Sequence, residues 1–167
     1  MNILTILEIA AALGAGLTAG IFYAFSTFVM AAFARLPAEQ GIAAMNSINV
    51  TVINPWFMAV FMGTPVLCVI IAIMVLLRWS EPGSLLIILA AAIYIVGSFG
   101  VTMFFNVPLN DALAAAAPSS SEGAALWARY LTDWTWWNSV RTALPLLAMV
   151  LFIIGLMLQS RALPSSP

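Results

Sequence analysis

Arg141 stands about seven residues into an apolar run that begins near Trp134, roughly 10 Å along a helix rising 1.5 Å per residue. A guanidinium at that depth in a bilayer costs about 2.5–3.5 kcal/mol on insertion scales, so it requires partners or a task. The acidic residues expected on the same side are Glu39, Asp111 and Asp133. Tyr94, Ser98, Thr102 and Asn106 recur every four residues, which lines them along one helix face. Tyr23, Ser26 and Thr27 add polar groups from an earlier run, and Asn138 and Thr142 flank Arg141. Trp134 and Trp137 lie on the Arg141 side, and Asn106 and Asn110 bracket Val107-Pro108-Leu109 at the mouth of the same assembly. Individually, Ser and Thr in such helices often do no more than hold neighbours together by weak hydrogen bonds.

Other chemistries are absent from the sequence. There is no His, and Cys68 is the only cysteine, so a Cys/His metal site and an intrachain disulfide are both excluded. No Gly-rich phosphate loop and no nucleophile elbow occurs. A net charge of −1 supplies no basic field for nucleic acid.

The elements that must position these residues follow from composition. The chain has 167 residues, 64% of them hydrophobic and 7% charged, against about 25% charged in soluble domains. Mean hydropathy is +1.11. Eleven charges, five basic and six acidic, cannot clothe a water-soluble surface, so lipid is expected to cover most of it. Four apolar runs, about 3–33, 55–77, 84–104 and 134–158, each exceed the roughly 20 residues needed to cross a bilayer core. The first lacks a basic leader and begins its charges at Glu8, so it reads as a retained span rather than a signal peptide, with Glu8 solvated near the membrane surface. Gly16 and Gly20 give that span a small-residue packing face. Trp56, Trp79 and Trp127 occupy positions expected of an interfacial belt.

The breaks have local causes. Arg35-Leu36-Pro37 ends the first run, and Asn54-Pro55 restarts the chain as a helix. Arg78 to Gly83 forms a tight hairpin, and Pro108 is expected to close the third run. Pro145 removes the helix partner of the Arg141 carbonyl and predicts a kink. Residues 37–53 read as a short helix with Ile42, Met45, Val52 and Ile53 on one face beside Asn46 and Asn49. A flexible stretch, 114–121, then precedes a separate short helix over 122–131. The expected architecture is an all-α membrane protein: one domain over 1–167, a four-transmembrane-helix bundle whose two long connections form a helical cap on one face. Both termini fall on the opposite side, and the Arg residues divide evenly between the faces, so they set no orientation.

Several of these motifs together resemble the anthrone oxygenase-like family of small four-span membrane proteins. They are Phe22-Tyr23-Ala24-Phe25-Ser26-Thr27-Phe28-Val29-Met30, Arg35-Leu36-Pro37, Gly41-Ile42-Ala43-Ala44-Met45 with Ile48-Asn49, Asn54-Pro55 with Phe57-Met58, Asn106-Val107-Pro108-Leu109-Asn110, and Trp134-Thr135 with Trp137-Asn138-Ser139-Val140-Arg141-Thr142. The resemblance covers residues from about 10 to 158. It implies a multi-pass protein, of a bacterial cell membrane, that oxidises an anthrone-like phenolic substrate with O₂ and uses no cofactor. The sequence departs from the family's form at Ser139, where His follows Asn. Under this reading Arg141 holds the developing oxyanion and Asp111 or Asp133 is the base. Asn106, Asn110, Asn138, Asn49 and Tyr23 contribute substrate contacts, and Trp134 and Trp137 stack on the rings. The expected partners are an apolar small molecule or lipid, the membrane, and further copies of the chain in a homo-oligomer. A non-enzymatic binding or accessory protein for a quinone or lipid is the alternative. A small multidrug-type transporter ranks below both, because Glu8 is near the end of its span and two loops are long.

Overall fold

The computed structural model describes residues 2–162 and is all-helical there. Helix α1 (Ile3–Phe33) begins where the Asn2 side chain accepts from the Thr5 amide at 2.9 Å. Helix α2 (Ala38–Thr51) follows Pro37. Asn54 caps helix α3 (Pro55–Leu76) by accepting from the amides of Trp56 and Phe57, both at 3.1 Å, with Pro55 in the first turn. Helices α4 (Ser84–Ala115) and α5 (Ser121–Ala162) complete the chain. Four of the five, α1, α3, α4 and α5, are long and apolar enough to cross a membrane.

Two boundaries differ from the sequence reading. Pro108 does not close the third helix. Residues Thr102–Asn106 form a π-helical turn in which the Val107 amide reaches the Thr102 carbonyl, five residues back. Pro108 then sits in the first turn of the next α-helical segment, where its missing N–H and fixed φ are tolerated. The stretch over 122–131 is no separate helix either. It is the first part of α5, a continuous helix of 42 residues, about 60 Å long and so about twice the bilayer core. Its N-terminal third leaves the bundle and carries the cap.

In the bundle α1 and α4 each pack on both α3 and α5. Small residues permit the approach. Gly14 meets Thr64, Gly97 meets Leu144, and Gly155 meets Ile87. Gly16 faces Met149, but Gly20 faces nothing, so the closest glycine contact of α1 is at Gly14, two residues before the expected pair. Gly83 adopts φ 85° with its Cα against the Gly155 backbone, which a Cβ would strike. Outward residues are apolar, among them Leu13, Leu17, Val66, Val69, Ile73 and Leu89.

The two ends of the bundle differ. At one end the Gln159 amide donates to Glu8 Oε1 at 3.2 Å, which places the beginning of α1 beside the end of α5, and Gly83 brings the hairpin there too. Glu8 is fully buried, not solvated as its position suggested, because α5 extends far enough to cover it. At the other end α2 lies against α5 and the end of α4, with Ile42, Met45, Leu113, Trp127 and Tyr130 forming a second apolar cluster. Trp127 is therefore a core residue on which Gly41 packs, while Trp56 and Trp79 are exposed as a belt requires.

Candidate functional site

Beneath the cap lies a cavity of about 430 Å³. Phe22, Phe25, Phe57, Phe61 and Phe99 form its walls, and Met45, Ile48, Asn49 and Val52 of α2 form its roof. Met58, Met62 and Met103 add adaptable thioether side chains. The polar members of the lining are few: Asn49, Thr102, Asn110, Trp134 and Arg141.

Arg141 is the one cation on this wall, and it is 4% exposed. Its Nη2 donates to Asn138 Oδ1 at 2.9 Å and its Nη1 to Thr102 Oγ1 at 3.1 Å. The guanidinium carbon lies 4.1 Å from the Phe22 ring centre and 5.1 Å from that of Trp134. Its Nε is buried without a partner. No carboxylate among the described residues pairs with it. The single ion pair among the described residues joins Arg78 and Glu81 at 3.8 Å, near the terminal end. Every partner of the buried cation is therefore neutral.

The partners are themselves fixed. Asn138 donates to the Phe22 carbonyl at 2.6 Å and to the Ser26 hydroxyl at 2.7 Å, which uses both amide protons. Its oxygen is thereby aimed at Arg141. Phe22 lies just before a π-helical turn of α1 over Phe25–Val29, in which the Met30 amide bonds five residues back to the Phe25 carbonyl. Thr102 donates to the Ser98 carbonyl at 2.7 Å and so turns its lone pairs to Arg141. The π turns of α4 also explain the polar stripe. In a regular α-helix a row at four-residue spacing drifts by about 40° per step, and wider turns reduce that drift. Tyr94, Ser98 and Asn106 are all fully buried, with Tyr94 3.1 Å from the Thr18 hydroxyl.

The expected site residues divide into three groups. Arg141, Trp134, Asn49 and Asn110 line the cavity together. Asn106 and Asn138 stand behind it. Asn106 donates to the Trp134 carbonyl at 3.2 Å, and Asn138 orients the guanidinium. Asp111, Asp133, Trp137 and Tyr23 are outside. Asp111 is exposed and Tyr23 is 56% exposed. Asp133 and Trp137 face a separate open groove of about 460 Å³ with Phe104, Phe105 and Trp136, where Trp137 stacks on Phe105 at 3.6 Å. The helical rotation from Arg141 accounts for this: Trp134 and Asn138 are turned about 20° and 60° to one side of its direction, toward the cavity, whereas Trp137 and Asp133 are turned about 40° and 80° to the other side, toward the groove. Neither aspartate is placed to take a proton in the cavity.

Ser139, the position of departure from the family's form, faces α1. Its hydroxyl donates to the Thr135 carbonyl at 2.9 Å and lies 3.0 Å from that of Ser26. It does not line the cavity. Sequence reasoning left Thr102 and Ser26 off the site, although both belonged to the polar faces it identified. It also missed the aromatic walls from α3, for which an almost wholly apolar helix gives no signal. Tyr130, whose hydroxyl donates to Asn110 at 2.7 Å, was passed over because it lies outside the apolar runs.

No curated protein and no solved structure matches the chain. The family model described as anthrone oxygenase matches residues 56–151, more than half of the sequence and nearly all of α3, α4 and the Arg141 segment of α5. The chain belongs to the anthrone oxygenase family.

Proposed function

We propose that the protein is a multi-pass membrane oxygenase that converts a flat, apolar, anthrone-type substrate to the corresponding quinone with O₂. The observation that carries this reading is Arg141: a buried cation with no counter-ion, on the wall of an aromatic cavity. An anthrone methylene is acidified by two rings and a ketone. Loss of its proton puts negative charge on the ketone oxygen, and a fixed guanidinium on a mostly apolar wall stabilises that charge strongly. With no carboxylate on the wall, the proton passes to water, and the protein acts by making the substrate a stronger acid. O₂ then adds to the former methylene carbon and the adduct is protonated to a hydroperoxide. Loss of the remaining C–H proton with cleavage of the O–O bond gives the second carbonyl and one water. O₂ is the oxidant, and one molecule is consumed per substrate.

The missing carboxylate equally suits the second reading, a binding or accessory protein that holds a quinone or related ligand in the same cavity. Oxygen uptake by purified protein in detergent separates the two. Uptake with an anthrone is expected from wild type. Arg141→Ala should lower it about 10²–10³-fold, and Arg141→Lys should retain little because the planar fork between Asn138 and Thr102 is lost. If wild type consumes no oxygen above buffer across several anthrones, the oxygenase reading fails and the binding reading replaces it. Activity undiminished in a monodisperse Arg141→Ala protein would remove Arg141 from the mechanism.

A further inference from the structure

We infer that this cavity is entered from the hydrocarbon of the bilayer, through a lateral opening between α3 and α4 rimmed by Ile53, Met62 and Met103. The route follows from packing and burial, and it goes beyond the oxygenase reading because it serves a bound ligand as well as a substrate. The cavity is not sealed, and its exposure is confined to one side. Phe22, Met45, Trp134 and Arg141, supplied by α1, α2 and α5, are all buried. Ile53, Met62 and Met103 are 71%, 41% and 45% exposed, and no other lining residue is exposed. Packing accounts for the opening. Helix α4 packs on α3 through Ser84–Gly100, whereas Thr102–Ala115 packs on α5, and Val107–Ala115 also on α2. The two helices therefore part at the level of Met62 and Met103, and Ile53, just past the end of α2, completes the rim.

The chemistry of the rim assigns it to lipid. None of its three side chains carries a charge or a hydrogen-bonding group other than a thioether. Trp56 is exposed on the first turn of α3, where an interfacial Trp belongs, and Met62 lies six residues further on, about 9 Å along the helix. The opening thus falls on the hydrocarbon side of that belt. A flat, neutral ring system dissolves in the bilayer and reaches such an opening without crossing water. Two of the rim residues are Met, whose unbranched side chains swing aside without movement of a helix. The same rim holds back an ion, because hydrocarbon offers it no solvation, so a charge formed at Arg141 stays in the cavity until it is neutralised.

The test is stopped-flow binding of anthraquinone to the full chain in lipid nanodiscs, read by quenching of tryptophan fluorescence. A narrowed passage raises the barrier in both directions, so Met62→Trp and Met103→Trp should each slow association by about tenfold or more and slow dissociation in parallel, with little change in affinity. Met62→Ala and Met103→Ala should accelerate both rates, which separates a gate from a misfolded protein. Val69→Trp, the same bulk at an outward position of α3, should change neither. Unchanged rates in the rim Trp variants overturn the inference. So does slower association without matching slower dissociation, which marks a lost contact rather than a narrowed path, and so does a wild type that does not bind. Parallel slowing in a protein that consumes no oxygen supports the route and removes only the oxygenase reading. Oxygen uptake with unaltered rates in the rim variants does the reverse.

Discussion

Replacing Asn138 by Asp puts a carboxylate where the structure has a neutral oxygen, 2.9 Å from Arg141 Nη2. The guanidinium remains, but its charge is no longer uncompensated. An anion held at the Nε edge would lie about 6 Å from the new carboxylate, and at an effective dielectric constant of about 20 the two repel by about 3 kcal/mol. That corresponds to roughly a hundredfold in affinity. The substitution also removes the donors to the Phe22 carbonyl and the Ser26 hydroxyl, so Asn138→Leu serves as the control, losing the same bonds without adding charge. The assay is binding of anthracene-9-carboxylate and of its neutral carboxamide to each purified variant. Wild type and Asn138→Leu should bind the anion, with Asn138→Leu somewhat weaker because the guanidinium is less fixed. Asn138→Asp should lose about a hundredfold for the anion and about as much as the Leu variant for the carboxamide. A folded Asn138→Asp protein that binds the anion as wild type does would refute the idea that a lone buried charge governs this cavity.

Two further outcomes follow from the packing. Gly97→Val should destabilise the bundle by about 1–3 kcal/mol, since its first added carbon meets Leu144, and lower the melting temperature in detergent by several degrees; an unchanged melting curve would contradict the observed approach of α4 to α5. Amides from Met45 to Thr51 should exchange slowly with deuterium, because α2 buries Ile42 and Met45 against Trp127 and Tyr130, and rapid exchange throughout that stretch would contradict an ordered cap.

The sequence by itself determined the four apolar helices, because a run of about 20 apolar residues has few other stable environments and its ends are written in local chemistry such as Asn54-Pro55 and the Gly83 turn. It also pointed to Arg141, since a charge inside such a run is costly wherever the helices pack. What it left open depended on rotation and reach. Asp133 and Asn138 lie about 140° apart around the same helix, on opposite sides of Arg141, and which side faces the cavity was set by how α5 packs. The fate of Pro108 turned on a π-helical turn that local propensity does not encode, and the burial of Glu8 on how far α5 runs beside α1. The cavity itself exists only where α2 folds back over the ends of α1, α3 and α4, so its aromatic walls, and the neutrality of every partner of Arg141, were decided by tertiary structure: contacts between residues as far apart in sequence as Phe22 and Asn138 are set by how whole helices pack, not by the pattern along any one of them.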